Sequence, residues 1–170
     1  LARRFLERYA HVSRVDVTLL ETKWNRLTVA GKPHDHSFTL DGNGKNTVRA
    51  SVTRDSSTIY SGVAGFTFLK STASGWENYW FDEYTTLPPT ADRICSTAMD
   101  AEWLWNRLPA DPVATNAKIL DTALAVFATT DSKGVRDSLY RMCEAALAAV
   151  PEIDEISMAD VEHLPIETGP

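Results

Sequence analysis

Apolar and polar residues alternate over several short stretches of this chain. Val15, Val17 and Leu19 alternate with Asp16 and Thr18, the period of a half-buried strand, and Val48, Ala50 and Val52 do the same around Arg49 and Ser51. Ahead of them, residues 2–9 set Phe5, Leu6 and Tyr9 among basic residues and read as the end of an amphipathic helix. The chain turns at Gly31-Lys32-Pro33, again at the tight-turn signal Asp41-Gly42-Asn43-Gly44, and again at Asp55-Ser56-Ser57. A long strand is predicted over residues 59–70, where Gly62 and Gly65 point to a bulge or a close backbone approach. Residues 94–105 form a further strand, with Cys95, Thr97, Met99, Ala101, Trp103 and Trp105 on one face.

The period then becomes helical. Asp111-Pro112 places an N-cap before proline at the first helical position. Val113, Ala117, Leu120, Leu124 and Phe127 follow at helical spacing to about residue 128. A second helix, capped by Asp131 or Ser132, carries Val135, Leu139, Met142 and Ala146 on one stripe and stops at Pro151. Residues 153–166 return as a strand. An antiparallel sheet with two helices on one face is an α+β architecture.

With 170 residues, 44% of them hydrophobic, the chain can bury a core of one domain or one and a half. Its net charge of -6 and lack of a basic block argue against nucleic acid as a partner. No apolar run is long enough to span a membrane, and there is no signal-peptide pattern. Cys95 and Cys143 sit in apolar contexts and read as buried free thiols of a reducing, cytoplasmic compartment, with a surface disulfide as the alternative. His34 and His36 share a strand face, but without a third ligand or a zinc-type helix motif they make no metal site.

The chain is organised around residues 76–93, WENYWFDEYTTLPPTADR, which carry four aromatic residues among their first six and end on Arg93. Pro88-Pro89 excludes a continuous helix or a central strand, so the stretch is a shaped loop between two strands. A ring at one end and a guanidinium at the other can grip a planar anionic heterocycle through stacking and paired hydrogen bonds. The alternative is a loop that covers the sheet, with Arg93 in a surface ion pair.

Leu69-Lys70-Ser71-Thr72, Ser74-Gly75-Trp76, DEYTTL at residues 82–87 and Asp92-Arg93 resemble the second domain of urate oxidase (uricase) in sequence and spacing. Trp24-x-Arg26 and the stretch from Gly31 to Phe38 (GKPHDHSF) resemble further segments of that family, and the similarity runs from about Phe5 to His163. The resemblance implies the tunnelling fold, whose sheets close into a barrel when subunits assemble, and a homotetramer or a complementary chain. Uricases are considerably longer. Residues 1–46 are then expected to be the end of a first unit, and residues 47–170 a second unit lacking its last strand, in a fragment or one piece of a larger assembly.

The resemblance also implies a site. Trp76 falls where the family has a stacking phenylalanine, and Arg93 on its substrate arginine. Val135 falls where a backbone N–H serves the ligand, in a first helical turn whose N–H groups lack intrahelical partners. His163 falls on a proton-relaying histidine. Arg136 replaces a glutamine, bringing donors only where the amide had a donor and an acceptor; the alternative is that its side chain turns away to Asp137, Glu162 or solvent. Before His163 the family has Pro-Asn-Lys-His, and Val161 is expected to replace the asparagine that holds water or dioxygen. The implied chemistry oxidises urate with dioxygen and water to 5-hydroxyisourate and hydrogen peroxide, in purine catabolism, without metal or flavin. Its base, a threonine–lysine pair, comes from a neighbouring subunit's first domain, and Lys70, Thr85 and Thr86 are not expected to stand in for it. Two other readings are a degenerate, non-catalytic subunit that binds a purine-like ligand or completes a barrel, and a pterin-handling enzyme of the same fold, for which the zinc-histidine set is missing.

Overall fold

The alternating stretches pair into one antiparallel sheet, and the helical stretches cover one of its faces. The structure, a computed structural model, describes residues 1–163, with side chains described as far as Asp160. The elements in chain order are α1 (Ala2–Arg8), β1 (Arg14–Glu21), β2 (Trp24–Val29), β3 (Lys32–Leu40), β4 (Lys45–Thr53), β5 (Ser57–Lys70), β6 (Cys95–Trp105), α2 (Pro112–Thr129), α3 (Val135–Ala149) and β7 (Ile153–His163). Five strands lie in the order β1-β4-β5-β6-β7, while β2 and β3 form a separate hairpin. That hairpin turns on Ala30 and Gly31, both at positive φ. The fold is α+β, and among the described residues the sheet is open, with β1 and β7 at its edges. Residue 46 lies inside β4, which pairs with β1 from Glu21↔Asn46 to Arg14↔Thr53. The last strand is described to His163, and residues 164–166 of the expected strand lie outside the described residues.

The predicted face of β6 is the floor of the core. Cys95, Thr97, Met99, Ala101, Trp103 and Trp105 are all buried, and they pack with Ile119, Met142 and Val150 from the helical layer and its end. The two indoles also satisfy their N–H groups: Trp103 Nε1 donates to Asn116 Oδ1 (3.1 Å) and Trp105 Nε1 to Ser61 Oγ (2.8 Å). Both glycines of β5 act as predicted. A Cβ on Gly62 would stand 2.2 Å from the Ala101 carbonyl oxygen. Gly65, at φ +65°, donates its N–H to Asp100 (2.7 Å) at a register shift between Val63 and Phe66. Cys95 and Cys143 are free thiols, the first buried and the second half-buried.

The helices differ from expectation in two details. Asp111 caps α2 as predicted, accepting the Ala114 N–H at 3.0 Å. The buried stripe, however, is Ile119, Ala123 and Phe127, and Val113 is 76% exposed. Asn116, held by Trp103, sets the rotation of the helix, and Ala123 lets it approach the sheet. Helix α3 begins at Val135 with Gly134 as N-cap and no side-chain cap, not with Asp131 or Ser132. The Ser132 hydroxyl is committed elsewhere, to Ser138 Oγ (2.5 Å) and the Gly134 carbonyl (3.2 Å).

Candidate functional site

Residues 71–94 leave the end of β5 and return to β6, and backbone bonds fix their shape. Lys70 anchors the departure, with Nζ donating to the Phe127 and Thr130 carbonyls at the C-terminal end of α2 (3.3 and 2.8 Å). The loop is then tied to the segment before α3: Gly75 N–H donates to the Ser132 carbonyl (2.7 Å) and Ser132 N–H to the Ala73 carbonyl (2.9 Å). Trp76 and Thr90 exchange both backbone bonds (2.7 and 2.9 Å), and Arg93 N–H donates to the Ser74 carbonyl (2.7 Å). Asp92 accepts from the Thr72 hydroxyl at 2.7 Å and from Ser74 N–H at 3.4 Å. The Thr72 bond, with help from the Ser74, Ala73 and Arg93 amides, holds the Asp92 carboxyl below the ordinary carboxylate range.

This frame sets a ring beside a guanidinium. The Trp76 indole lies against Gly134, where an added Cβ would come within 3.3 Å of ring atom Cζ3, tight enough that the ring would have to shift by a few tenths of an ångström. Tyr79 stacks on the same indole at a centroid distance of 5.3 Å. The Arg93 guanidinium carbon is 5.5 Å from the Trp76 ring centroid, within cation–π range. The DEYTTL segment itself is scaffold. Asp82 accepts from Tyr84 N–H (3.0 Å) and the Thr85 hydroxyl (2.9 Å), and Tyr79 OH closes onto the Leu87 carbonyl (2.6 Å). Thr85 and Lys70 are thus both occupied structurally.

Trp76, Arg93, Val135 and Arg136 line one cleft of about 830 Å³, together with Lys133, Gly134, Asp137, Met158 and Asp160. Four of the five residues expected at the site therefore converge, from segments up to sixty residues apart. Val135 is the first residue of α3, as the resemblance implied. His163 pairs with Thr97 at the end of β7, the strand that also brings Met158 and Asp160 to the cleft. The His163 side chain lies outside the described residues. A separate cleft of about 450 Å³, lined by Leu20, Asn43 and Gly65 among others, contains none of these residues.

The charges of the cleft are partly paired within its walls. Asp137 pairs with Arg141 one turn further along α3 (3.0 Å). Lys133 faces Asp131 (3.4 Å) and Glu77 (3.5 Å), and both, Asp131 first, raise its pKa, which keeps it protonated. Asp160 accepts a hydrogen bond from the Thr97 hydroxyl. The sequence reading missed Asp160. The register of β6 and β7 shifts between Ala98 and Met99, so that Asp160 pairs with Met99 and Glu162 with Ala98, leaving Val161 as the extra residue of a bulge. Asp160 lies in the cleft wall, and the Val161 side chain lies outside the described residues. No glycine marks the bulge.

On the described residues, His34 and His36 lie on β3 with rings 6.2 Å apart, and His36 N–H donates to His34 Nδ1 (3.3 Å). No group of three or more His, Cys, Asp or Glu side chains converges among the described residues. No helix among them is long and apolar enough to cross a membrane.

An antiparallel sheet backed by two helices, with a ring-and-guanidinium cleft at the start of the second helix, defines a tunnelling-fold unit. The uricase family model matches residues 1–51 and 59–164. The chain belongs to the uricase family. It is 35% identical over 166 residues to the uricase of Aspergillus flavus, covering 92% of this chain and 55% of that protein. It is 34% identical over 182 residues to Uricase-2 of Phaseolus vulgaris, covering 98% and 59%. The crystal structure of uricase from Arthrobacter globiformis superposes with a TM-score of 0.84 at 32% identity, over 92% of this chain and 53% of that one. The chain thus spans about half the length of the curated relatives it matches.

Proposed function

We propose that this chain is the ligand-holding unit of a uricase-like oxidase that converts urate, dioxygen and water to 5-hydroxyisourate and hydrogen peroxide. The observation that carries the reading is the seating of Trp76 on Gly134 with the Arg93 guanidinium 5.5 Å from its ring centroid, in the cleft that α3 opens onto. Trp76 stacks on the purine plane, and Arg93 pairs with an anionic edge through two parallel N–H bonds. The Val135 N–H, at the start of α3, adds a backbone donor to the same edge. His163 relays protons beside the reacting face. Once deprotonated, urate is electron-rich enough to pass electrons to dioxygen directly, so the protein's work is orientation and charge stabilisation, without a cofactor.

The open edges β1 and β7 fit closure of the sheet against further chains, as a homotetramer or with a complementary chain, and the free thiols fit a cytoplasmic setting. The division at residue 46 into the end of one unit and most of a second belongs to the same reading. The family's threonine–lysine base would then arrive from a neighbour. Arg136 sets this chain apart: it lines the cleft, where its side chain turned inward is a second donor-only group. A ring N–H facing it goes unpaired, which costs roughly 1 to 3 kcal/mol. Arg136→Gln is therefore expected to raise urate affinity. Calorimetry with urate tests binding, and loss of urate ultraviolet absorbance with matching peroxide formation tests turnover. A folded chain that binds no urate refutes the reading.

A further inference from the structure

Trp76 is 38% exposed, and its own burial leaves the plane of the ring weakly fixed. Support comes from three residues further along the loop. Asn78 takes a left-handed φ of 63°, a conformation that asparagine tolerates better than most residues, and folds the chain back on itself. Tyr79 is thereby laid on the Trp76 indole, with ring centroids 5.3 Å apart and planes 28° from parallel. Phe81 stacks in turn on Tyr79, at 6.4 Å and the same tilt of 28°. The Tyr79 hydroxyl donates to the Leu87 carbonyl at 2.6 Å, which fixes the phenol against the far limb of the same loop. Leu87 lines the cleft, whereas Tyr79 does not.

We propose that Tyr79 is a positioning residue, which acts on the ligand through Trp76 by holding the indole plane and covering one of its faces. The inference rests on the reading of this cleft as the ligand site. Stacked aromatic pairs prefer an offset, near-parallel arrangement, so the anchored phenol resists rotation of the indole about its side-chain bonds. With one face taken by Tyr79, a planar ligand stacks on the other and meets a platform already two rings deep. Rotamer freedom that Trp76 would otherwise lose on binding is lost on folding instead, which raises affinity without any contact between Tyr79 and the ligand. The effect of Tyr79 must therefore vanish when the indole is absent.

The test is calorimetric binding of urate to the whole chain in a double-mutant cycle. Tyr79→Leu, which removes the stacking ring, should weaken urate binding about tenfold, and the same change in a Trp76→Ala background should alter Kd by less than about twofold. Tyr79→Phe keeps the ring and loses only the bond to the Leu87 carbonyl, so it should bind within about threefold of wild type. Asn78 gives a second handle outside the cleft, for the case in which Tyr79→Leu does not fold. Asn78→Gly keeps the left-handed backbone accessible and should bind within about threefold of wild type. Asn78→Val opposes that backbone and should weaken binding about tenfold, again only while Trp76 is present. A Kd for folded Tyr79→Leu or Asn78→Val within about twofold of wild type overturns the proposal while Arg93-dependent urate binding stands. So does a full loss that persists without Trp76. Absence of urate binding in the wild type overturns both this inference and the reading of the cleft.

Discussion

Replacing Arg93 by alanine separates a ligand-binding arginine from a structural one. In the free chain the Arg93 side chain is exposed, and its one described partner is the Trp76 face, 5.5 Å from the guanidinium carbon. A cation–π contact at such a site is worth about 0.5–1 kcal/mol, so the stability lost should not exceed about 1 kcal/mol. The backbone bond from Arg93 N–H to the Ser74 carbonyl survives the substitution, and the loop keeps its path. With a planar anion stacked on Trp76, the same guanidinium gains a charge-assisted pair of bonds, each contributing about 1.5–3 kcal/mol. Allowing for the solvent that still reaches one side, Arg93→Ala should weaken urate binding by about 2–4 kcal/mol, from about thirtyfold to several hundredfold in Kd. Isothermal calorimetry gives the Kd, and urea unfolding of the same samples gives the stability. Arg93→Lys should recover only part of the loss, since it restores the charge without the planar fork. A Kd for Arg93→Ala within threefold of wild type would refute the placement of the anionic edge. A stability loss of several kcal/mol would show that the residue is structural instead.

Trp76→Ala should cost about 1–3 kcal/mol in urate affinity through lost stacking, and unchanged calorimetry would mean that the ligand lies elsewhere. Gly62→Ala should destabilise the fold by about 3 kcal/mol in urea melts, the upper end of the overpacking range, because the added Cβ meets the Ala101 backbone carbonyl at 2.2 Å. Asp92 provides a pH signature. Its carboxyl is held low by Thr72, so its contribution to stability is fully present above the unfolded pKa of about 3.9 and is lost as pH falls through the lower folded value. The difference in urea midpoint between wild type and Asp92→Asn should therefore shrink as pH falls from about 6 to about 3, and a constant difference would contradict the assignment.

The strands were legible because a half-buried strand writes its burial into alternate residues. The buried face of β6, from Cys95 to Trp105, is the alternating set read from the sequence. Gly62 and Gly65 were informative for a similar reason, since each occupies a place that a side chain would block or strain. Helix α2 was harder. Alanines lie all around it, and what selects its buried face is the small size of Ala123 and a hydrogen bond from Trp103 to Asn116, neither of which has a period. Ser132 has the chemistry of an N-cap, but a distant strand-like bridge to Ser74 decides its use. At the site, nothing local announces that Trp76 and Arg93 meet Val135 and Arg136. Only the resemblance joined these segments, whose meeting depends on backbone bonds between residues 73–75 and 132. Asp160 escaped because a bulge without glycine displaced it by one position.

The cleft draws on the loop before β6, the first turn of α3 and the edge strand β7. A ligand that touches all three favours only forms in which all three are in place, so filling the cleft and completing the fold are coupled. A ligand present at a hundred times its Kd would raise the free energy of unfolding by about 2.7 kcal/mol. The gain should be felt most at β7, which has a strand neighbour on one side only among the described residues. Its amides, otherwise among the first to exchange with solvent as the edge frays, would become as slow as those of β6 once the cleft is filled.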